Sequence, residues 1–207
     1  MAGTIKADLI ELGRALHGRG WTPATSGNFS ARLGDGQILV TASGKDKGAL
    51  TEEDFLTVNE QGEPSDAGSS LKPSAETLLH TSLYGWSNDI QVVLHTHSVQ
   101  SVTLTRRNPG EGHVEMRDLE ILKAFPGIRT HEVQVHIPVF ENTQEMAQLA
   151  EAVNKRCQEG LDVPGYLIRG HGLYAWGSSV AEAKKHIEAF EYLIECELAL
   201  GRDPKGT

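Results

Sequence analysis

Cysteine is scarce in this chain: there are two, Cys157 and Cys196, and neither lies in a CxxC or CxxH spacing. That scarcity excludes a disulfide framework and a cysteine-closed zinc module, and it suits a reducing, cytoplasmic setting. Both fall on apolar helical faces, where cysteine behaves as a small buried hydrophobe. Positive charge is also in short supply, with 19 Lys and Arg against 28 Asp and Glu for a formal charge of −9, and no basic patch forms. A nucleic-acid surface is therefore not expected, and an anionic ligand has to be held by local groups. No apolar run approaches the ~18 residues of a membrane helix. The start, MAGTIKADLI, lacks a basic segment followed by a long apolar one, so neither a membrane span nor export is expected. Repeats, low-complexity tracts and linkers are missing, and so are GxGxxG and GxxxxGK[ST], so nucleotide binding is not supported.

What remains is an ordinary globular composition, 39% apolar and 23% charged over 207 residues, enough for a full core. We read residues 1–207 as one α/β domain. Helical spacing marks residues 4–17, with Ile5, Leu9, Leu12 and Leu16 inward and Gly18 and Gly20 as the stop. The pattern predicts short helices over 51–56 and 99–105. It also predicts a helix with Ser74 as N-cap and Glu76 in its first turn, and another over 116–125 with Met116, Leu119, Leu122 and Phe125 inward. Residues 133–140 alternate as a strand. Asn142 with Glu145 opens a helix striped by Met146, Leu149, Val153 and Cys157, and Ser179 with Glu182 reads as a capping box for the last helix.

The chemistry concentrates in histidine. The apolar run DIQVVLHTHS at 89–98 ends in His95 and His97, which on a strand project from one face because alternate side chains share a side. Two imidazoles so placed can chelate a divalent ion, or they are two solvated histidines at a strand end. A third, His171, stands between glycines in the β-rich run YLIRGHGLYAW at 166–176. Three histidines plus an open position form the donor set of a catalytic zinc site. Two loops of small polar residues, 25–32 and 42–48, can present N–H groups and hydroxyls to a phosphate, with Lys45 or Lys47 adding charge. Each reads equally as a turn rich in Gly, Ser and Asp. Glu76 reads as a helix-dipole partner and His80, one turn on, as a packed or exposed partner. Glu120 reads as a surface residue beside an apolar stripe, and His113, His131, His136 and His186 as structural or exposed.

In chain order, the two loops, Lys72-Pro73-Ser74-Ala75-Glu76, His95-Thr96-His97 and Gly170-His171-Gly172 resemble the class II aldolase/adducin family over residues 4–200. The resemblance implies a three-layer α/β/α sandwich around a mainly antiparallel sheet, assembled as a homotetramer with sites at subunit junctions. It implies one Zn2+ per subunit on His95, His97 and His171, with Glu76 close to the metal and Glu120 where the family's dehydratases place an acid/base. Phosphate contacts are implied for Ser26, Gly27, Asn28, Ser43, Gly44, Lys47 and Ser74. Ala75 departs from the serine that the family's aldolases tend to carry there. The runs IPVFENT at 137–143 and RGHGLYAWG at 169–177 are most similar to the dehydratase members, which implies a lyase removing water from a sugar phosphate. A sugar-phosphate aldolase or 4-epimerase acting on fuculose or ribulose phosphate is the same-fold alternative. A non-catalytic, adducin-like binding module is the alternative of a different class.

Overall fold

The computed structural model describes residues 2–34, 36–107, 109–110 and 112–201. In chain order they form α1 (Ala2–Gly18), β1 (Asn28–Arg32), β2 (Ile38–Thr41), β3 (Phe55–Val58), α2 (Thr77–Trp86), β4 (Val92–Thr96) and α3 (Val99–Arg107). Then follow β5 (His113–Arg117), β6 (Gln134–Phe140), α4 (Met146–Glu159), β7 (Gly165–Ile168), β8 (Gly172–Gly177) and α5 (Val180–Leu200). The strands make one sheet in the order β3-β2-β1-β4-β8-β7-β6-β5. Every pairing is antiparallel except β6 with β7.

Strand β4 shows how the layers arise. Val92 and Leu94 belong to the core shared with α1, α3 and α5, whereas Val93 belongs to the core shared with α2 and α4. A strand covered on both faces is apolar on both, which is why Val92, Val93 and Leu94 read as a continuous hydrophobic run instead of an alternating one. The result is the expected α/β/α sandwich, with β4 near the middle of its sheet. His95 follows Leu94 and therefore points to the α2/α4 side. Among the described residues no helix is long and apolar enough to cross a membrane. Cys157 is buried on α4 and Cys196 half-buried on α5, both as free thiols.

Three local expectations are corrected. Residues 116–125 are not one helix: Met116 and Arg117 are the last two residues of strand β5, paired with Val135 and Gln134, and a 3-10 turn follows at Glu120–Ala124. Asp118, at φ +60°, breaks the run between them. The inward stripe at 119, 122 and 125 has a spacing of three, which a 3-10 turn satisfies as well as an α-helix does. Residues 51–56 likewise hold only the 3-10 turn Glu52–Asp54, where the Asp54 carboxylate accepts from Thr51 N at 2.9 Å before the chain enters β3. Finally, α2 starts at Thr77 with Glu76 in the capping position, and Ser74 lies two residues earlier. Ser74 Oγ accepts from Glu76 N at 3.2 Å, so it shapes the turn that presents Glu76. At α5 the Ser179 hydroxyl accepts from Glu182 N at 3.1 Å as a cap should, while the Glu182 carboxylate takes Ser178 N and its hydroxyl.

Candidate metal centre

His95, His97, His171 and Glu76 bring one ligand atom each to within 4.8 Å of one another. His95 comes from the last turn of the pleat in β4, between Asn28 of β1 and Tyr174 of β8. Its ring stacks on Tyr174 with centroids 4.0 Å apart, and Tyr174 stacks on Tyr166 at 4.8 Å, so an aromatic column fixes the imidazole. His97 lies one residue past the strand, where its backbone N donates to Trp21 O at 2.7 Å. His171 occupies the tight turn between β7 and β8. Gly170 takes φ +64° there, Gly170 N donates to Thr105 Oγ1 at 3.0 Å, and Arg169 binds Thr105 O at 2.7 Å, which fastens the turn to α3. Glu76 enters from the start of α2, where the helix dipole favours a carboxylate.

The protonation pattern suits a cation. His95 Nδ1 donates to Leu173 O at 3.0 Å. Burial holds the His95 ring well below its ordinary pKa, against the pull of Glu76, so it is neutral and its Nε2 offers a lone pair. That Nε2 lies 2.8 Å from His97 Nε2, and His97 is itself lowered to about 4, first by burial and then by His171. His171 Nε2 is 2.8 Å from Glu76 Oε1, and His95 Nε2 is 3.7 Å from Oε2. Burial works against ionisation of Glu76 but is outweighed by the His171 hydrogen bond, the fields of His95 and His171, and the Asn28 amide. Its carboxyl therefore sits well below the usual range. Three imidazole nitrogens and an ionised carboxylate converging with too few protons to satisfy them is the chemistry of a divalent-metal site. Asn142 Oδ1 lies 3.3 Å from His171 Nδ1, the outer contact that orients the ring with Nε2 toward Glu76 and the other histidines.

Around the cluster the small-residue loops meet. Ala24 and Thr25 adopt φ of 51° and 62°, and Gly27 follows at 74°. A Cβ on Gly27 would stand 2.6 Å from His95 O, so only glycine allows this loop to lie against the histidine strand. Ser26 Oγ is buried and has no hydrogen-bond partner among the described residues, which leaves a donor for a ligand. Lys47 is 1% exposed, and its Nζ donates to Thr25 O at 2.6 Å and to Lys45 O, tying the two loops together. Burial lowers its pKa to about 8, with Asp46 and Glu76 opposing. Ser43 N donates to Lys72 O at 2.9 Å, which joins the second loop, with Gly44 at φ +75°, to the segment carrying Ser74. The Asn28 side-chain amide lies between Glu76 Oε2, at 2.7 Å, and His80 Nε2.

Glu120 is not brought to this cluster within the chain. Its 3-10 turn packs against α5, on the sheet face opposite His95. The carboxylate is exposed, paired with Lys123 and, at 3.3 Å, with His131. Of two further participants, Glu191 is unmarked in the sequence, and His80, expected as a packed or exposed partner, is packed. His80 is fully engaged beneath Glu76. Glu191 on α5 accepts from Thr96 Oγ1 behind the histidine strand at 3.3 Å. A charged residue inside the inward stripe of Ile187, Phe190 and Ile194 was the available signal for Glu191; for His80 it was the buried helix face it shares with Leu83 and Tyr84.

The sandwich and the His/Glu metal cluster at the end of β4 define a class. Residues 7–198 match the Class II Aldolase and Adducin N-terminal domain, and the chain belongs to that family. Among its relatives, the methylthioribulose-1-phosphate dehydratase of Pseudomonas paraeruginosa (strain DSM 24068 / PA7) is 52% identical over 92% of this chain and 91% of its own. The methylthioribulose-1-phosphate dehydratase of Sorangium cellulosum (strain So ce56) is 50% identical over 96% of this chain and 93% of its own. The solved structure of L-fuculose 1-phosphate aldolase matches with a TM-score of 0.77 at 21% identity, covering 96% of this chain and 86% of that one. That last likeness concerns the fold alone.

Proposed function

We infer that the chain, as one domain over 1–207, dehydrates 5-methylthioribulose 1-phosphate to 2,3-diketo-5-methylthiopentyl 1-phosphate, a step of methionine salvage. The observation that carries this is identity of 52% over nearly the whole chain to a dehydratase named for that substrate, with the metal cluster intact. The reaction takes the proton from C3 and expels the C4 hydroxyl as water, and the enol so formed becomes the C3 ketone.

We assign His95, His97 and His171 to one Zn2+, which when bound supplies Lewis-acid polarisation of the substrate's carbonyl oxygen. The protein's own groups do the rest. Ser26, Gly27, Asn28, Ser43, Gly44, Lys47 and Ser74 surround the phosphate, and its grip fixes C3 and C4 relative to the cluster. The unpartnered hydroxyl of Ser26 supports this, as does the union of the three segments through Lys47 and Lys72. Glu120 is the first candidate to take the C3 proton and to protonate the departing hydroxyl, and Glu76 is the second. Since Glu120 lies on the far face of its own sheet, it acts on a neighbouring copy, in a homotetramer with sites at subunit junctions. Free, reduced cysteines agree with a cytoplasmic protein.

Purified protein given the substrate should yield the diketone by NMR, with about one zinc per chain by metal analysis. Dihydroxyacetone phosphate as product, from cleavage of C3–C4, would overturn the dehydratase reading in favour of an aldolase. Absence of bound metal and of turnover would leave a binding module.

A further inference from the structure

Behind Glu76 the facing surfaces of β1 and α2 carry a line of polar side chains that metal binding leaves unused. Asn28, Ser30, His80 and Tyr84 are all buried there. Tyr84 Oη lies 2.8 Å from Ser30 Oγ, and Ser30 Oγ lies 2.7 Å from His80 Nδ1. His80 Nε2 meets Asn28 Oδ1, and Asn28 Nδ2 is 2.7 Å from Glu76 Oε2.

The donor inventory gives this line one direction. Burial pushes the Tyr84 phenol well above its ordinary pKa, against the Ser30 hydrogen bond and the Arg32 charge, so it keeps its proton and donates it to Ser30. Ser30 then gives its own proton to His80 Nδ1, and the imidazole carries its single proton on Nε2. Burial lowers His80 to about 4, with Glu76 opposing, so the ring stays neutral and one tautomer serves. The Nε2 proton goes to Asn28 Oδ1, and only then does the amide NH2 face Glu76. The other end agrees, since an ionised carboxylate can accept but not donate. The opposite tautomer would force the Asn28 amide to turn over and set its carbonyl oxygen against the carboxylate, two acceptors with no proton between them.

We propose that His80 is a positioning residue: as its Nε2–H tautomer it locks the Asn28 amide with NH2 toward Glu76 and thereby holds the carboxylate beside the three histidines. One end of the line is a phenol and the other a metal-site carboxylate, so its polarisation strengthens each bond in turn. The kinetic arm of the test rests on the dehydratase reading, and the spectroscopic arm does not.

In 15N-labelled, metal-free protein, the His80 ring should show an unprotonated Nδ1 and a protonated Nε2. His80→Phe should retain its metal and its KM and lose roughly 10- to 100-fold in kcat, the usual cost of deleting a group that orients a metal-site residue. In an Asn28→Ala background the same change should cost nothing further, because His80 acts only through Asn28. His80→Gln, whose amide NH2 can still donate to Asn28 Oδ1, should recover part of kcat, and it serves where His80→Phe fails to fold. A protonated Nδ1, or equal losses in both Asn28 backgrounds, overturns the proposal. Failure of the parent protein to dehydrate the substrate overturns the functional reading instead, and the tautomer still decides the relay.

Discussion

Glu191 is a carboxyl group set in the apolar layer between β4 and α5, at 2% exposure. Its Oε1 accepts from Thr96 Oγ1, the Ser98 hydroxyl lies beside it, and its Oε2 has no hydrogen-bond partner. Burial pushes its pKa up to about 7, with Ser98 and Thr96 opposing and Glu195 adding to the shift. In the unfolded chain a glutamate titrates near ~4.3. Between those two values the folded protein keeps a proton that the unfolded chain has released. Stability that is full below the unfolded pKa is therefore lost as pH rises through about 7. Glu191→Gln keeps the shape and removes this dependence. Relative to the parent it should gain up to about 3 kcal/mol between roughly pH 5 and pH 8, read by urea denaturation at both. A difference that stays constant with pH would show that Glu191 ionises freely in the fold.

At the scale of elements, the site depends on how closely β8 runs against β4. A Cβ on Gly172 would stand 2.0 Å from Thr96 O and 3.1 Å from His95 Cε1. Gly172→Ala should therefore spread the two strands at His95, costing about 1–3 kcal/mol of stability as overpacking does. It should also lower metal content, measured by thermal melting and metal analysis of one preparation. Unchanged metal content would mean that His95 is held by its Tyr174 stack alone. The flanking glycines of His171 were legible in the sequence, as was the convergence of His95 and His97, although His97 lies one residue past the strand, because chelation and tight turns each leave a short, local pattern. The apolar stripe of 116–125 was visible too, but its identity as a strand end plus a 3-10 turn was not. The pairing of Met116 with Val135 joins residues far apart in the chain, and a stripe spaced by three fits both helix types. The relay from Tyr84 to Glu76 was hidden for the same reason, since Ser30 and His80 are 50 residues apart and meet only when β1 packs on α2. The start of α2 was misplaced by two residues, because Ser74 bonds Glu76 N in a cap-like way without opening the helix.

At the scale of the whole molecule, one residue stands apart from the rest. The metal cluster lies on the α2/α4 face of the sheet and Glu120 on the α5 face, exposed and paired, among the described residues, with Lys123 and His131. If Glu120 serves catalysis, symmetry has to carry it to a neighbour's cluster, as closed oligomers do when each copy lends the same surface to the next. Glu120→Gln should keep its metal and lose about 100-fold or more in kcat, the scale of one general acid/base. His97→Ala should lose the metal and with it the activity. Neither variant alone works, yet the two mixed by co-expression build some sites in which an intact cluster of one chain faces the intact Glu120 of another. With random assembly about a quarter of the sites are complete, so about a quarter of parental activity should return. A Glu120 acting within its own chain gives none, because no chain in the mixture then holds both halves. Restored activity at that level would establish both the residue's role and the assembly, and a mixture as inactive as its components would remove Glu120 from the junction and leave Glu76 as the acid/base.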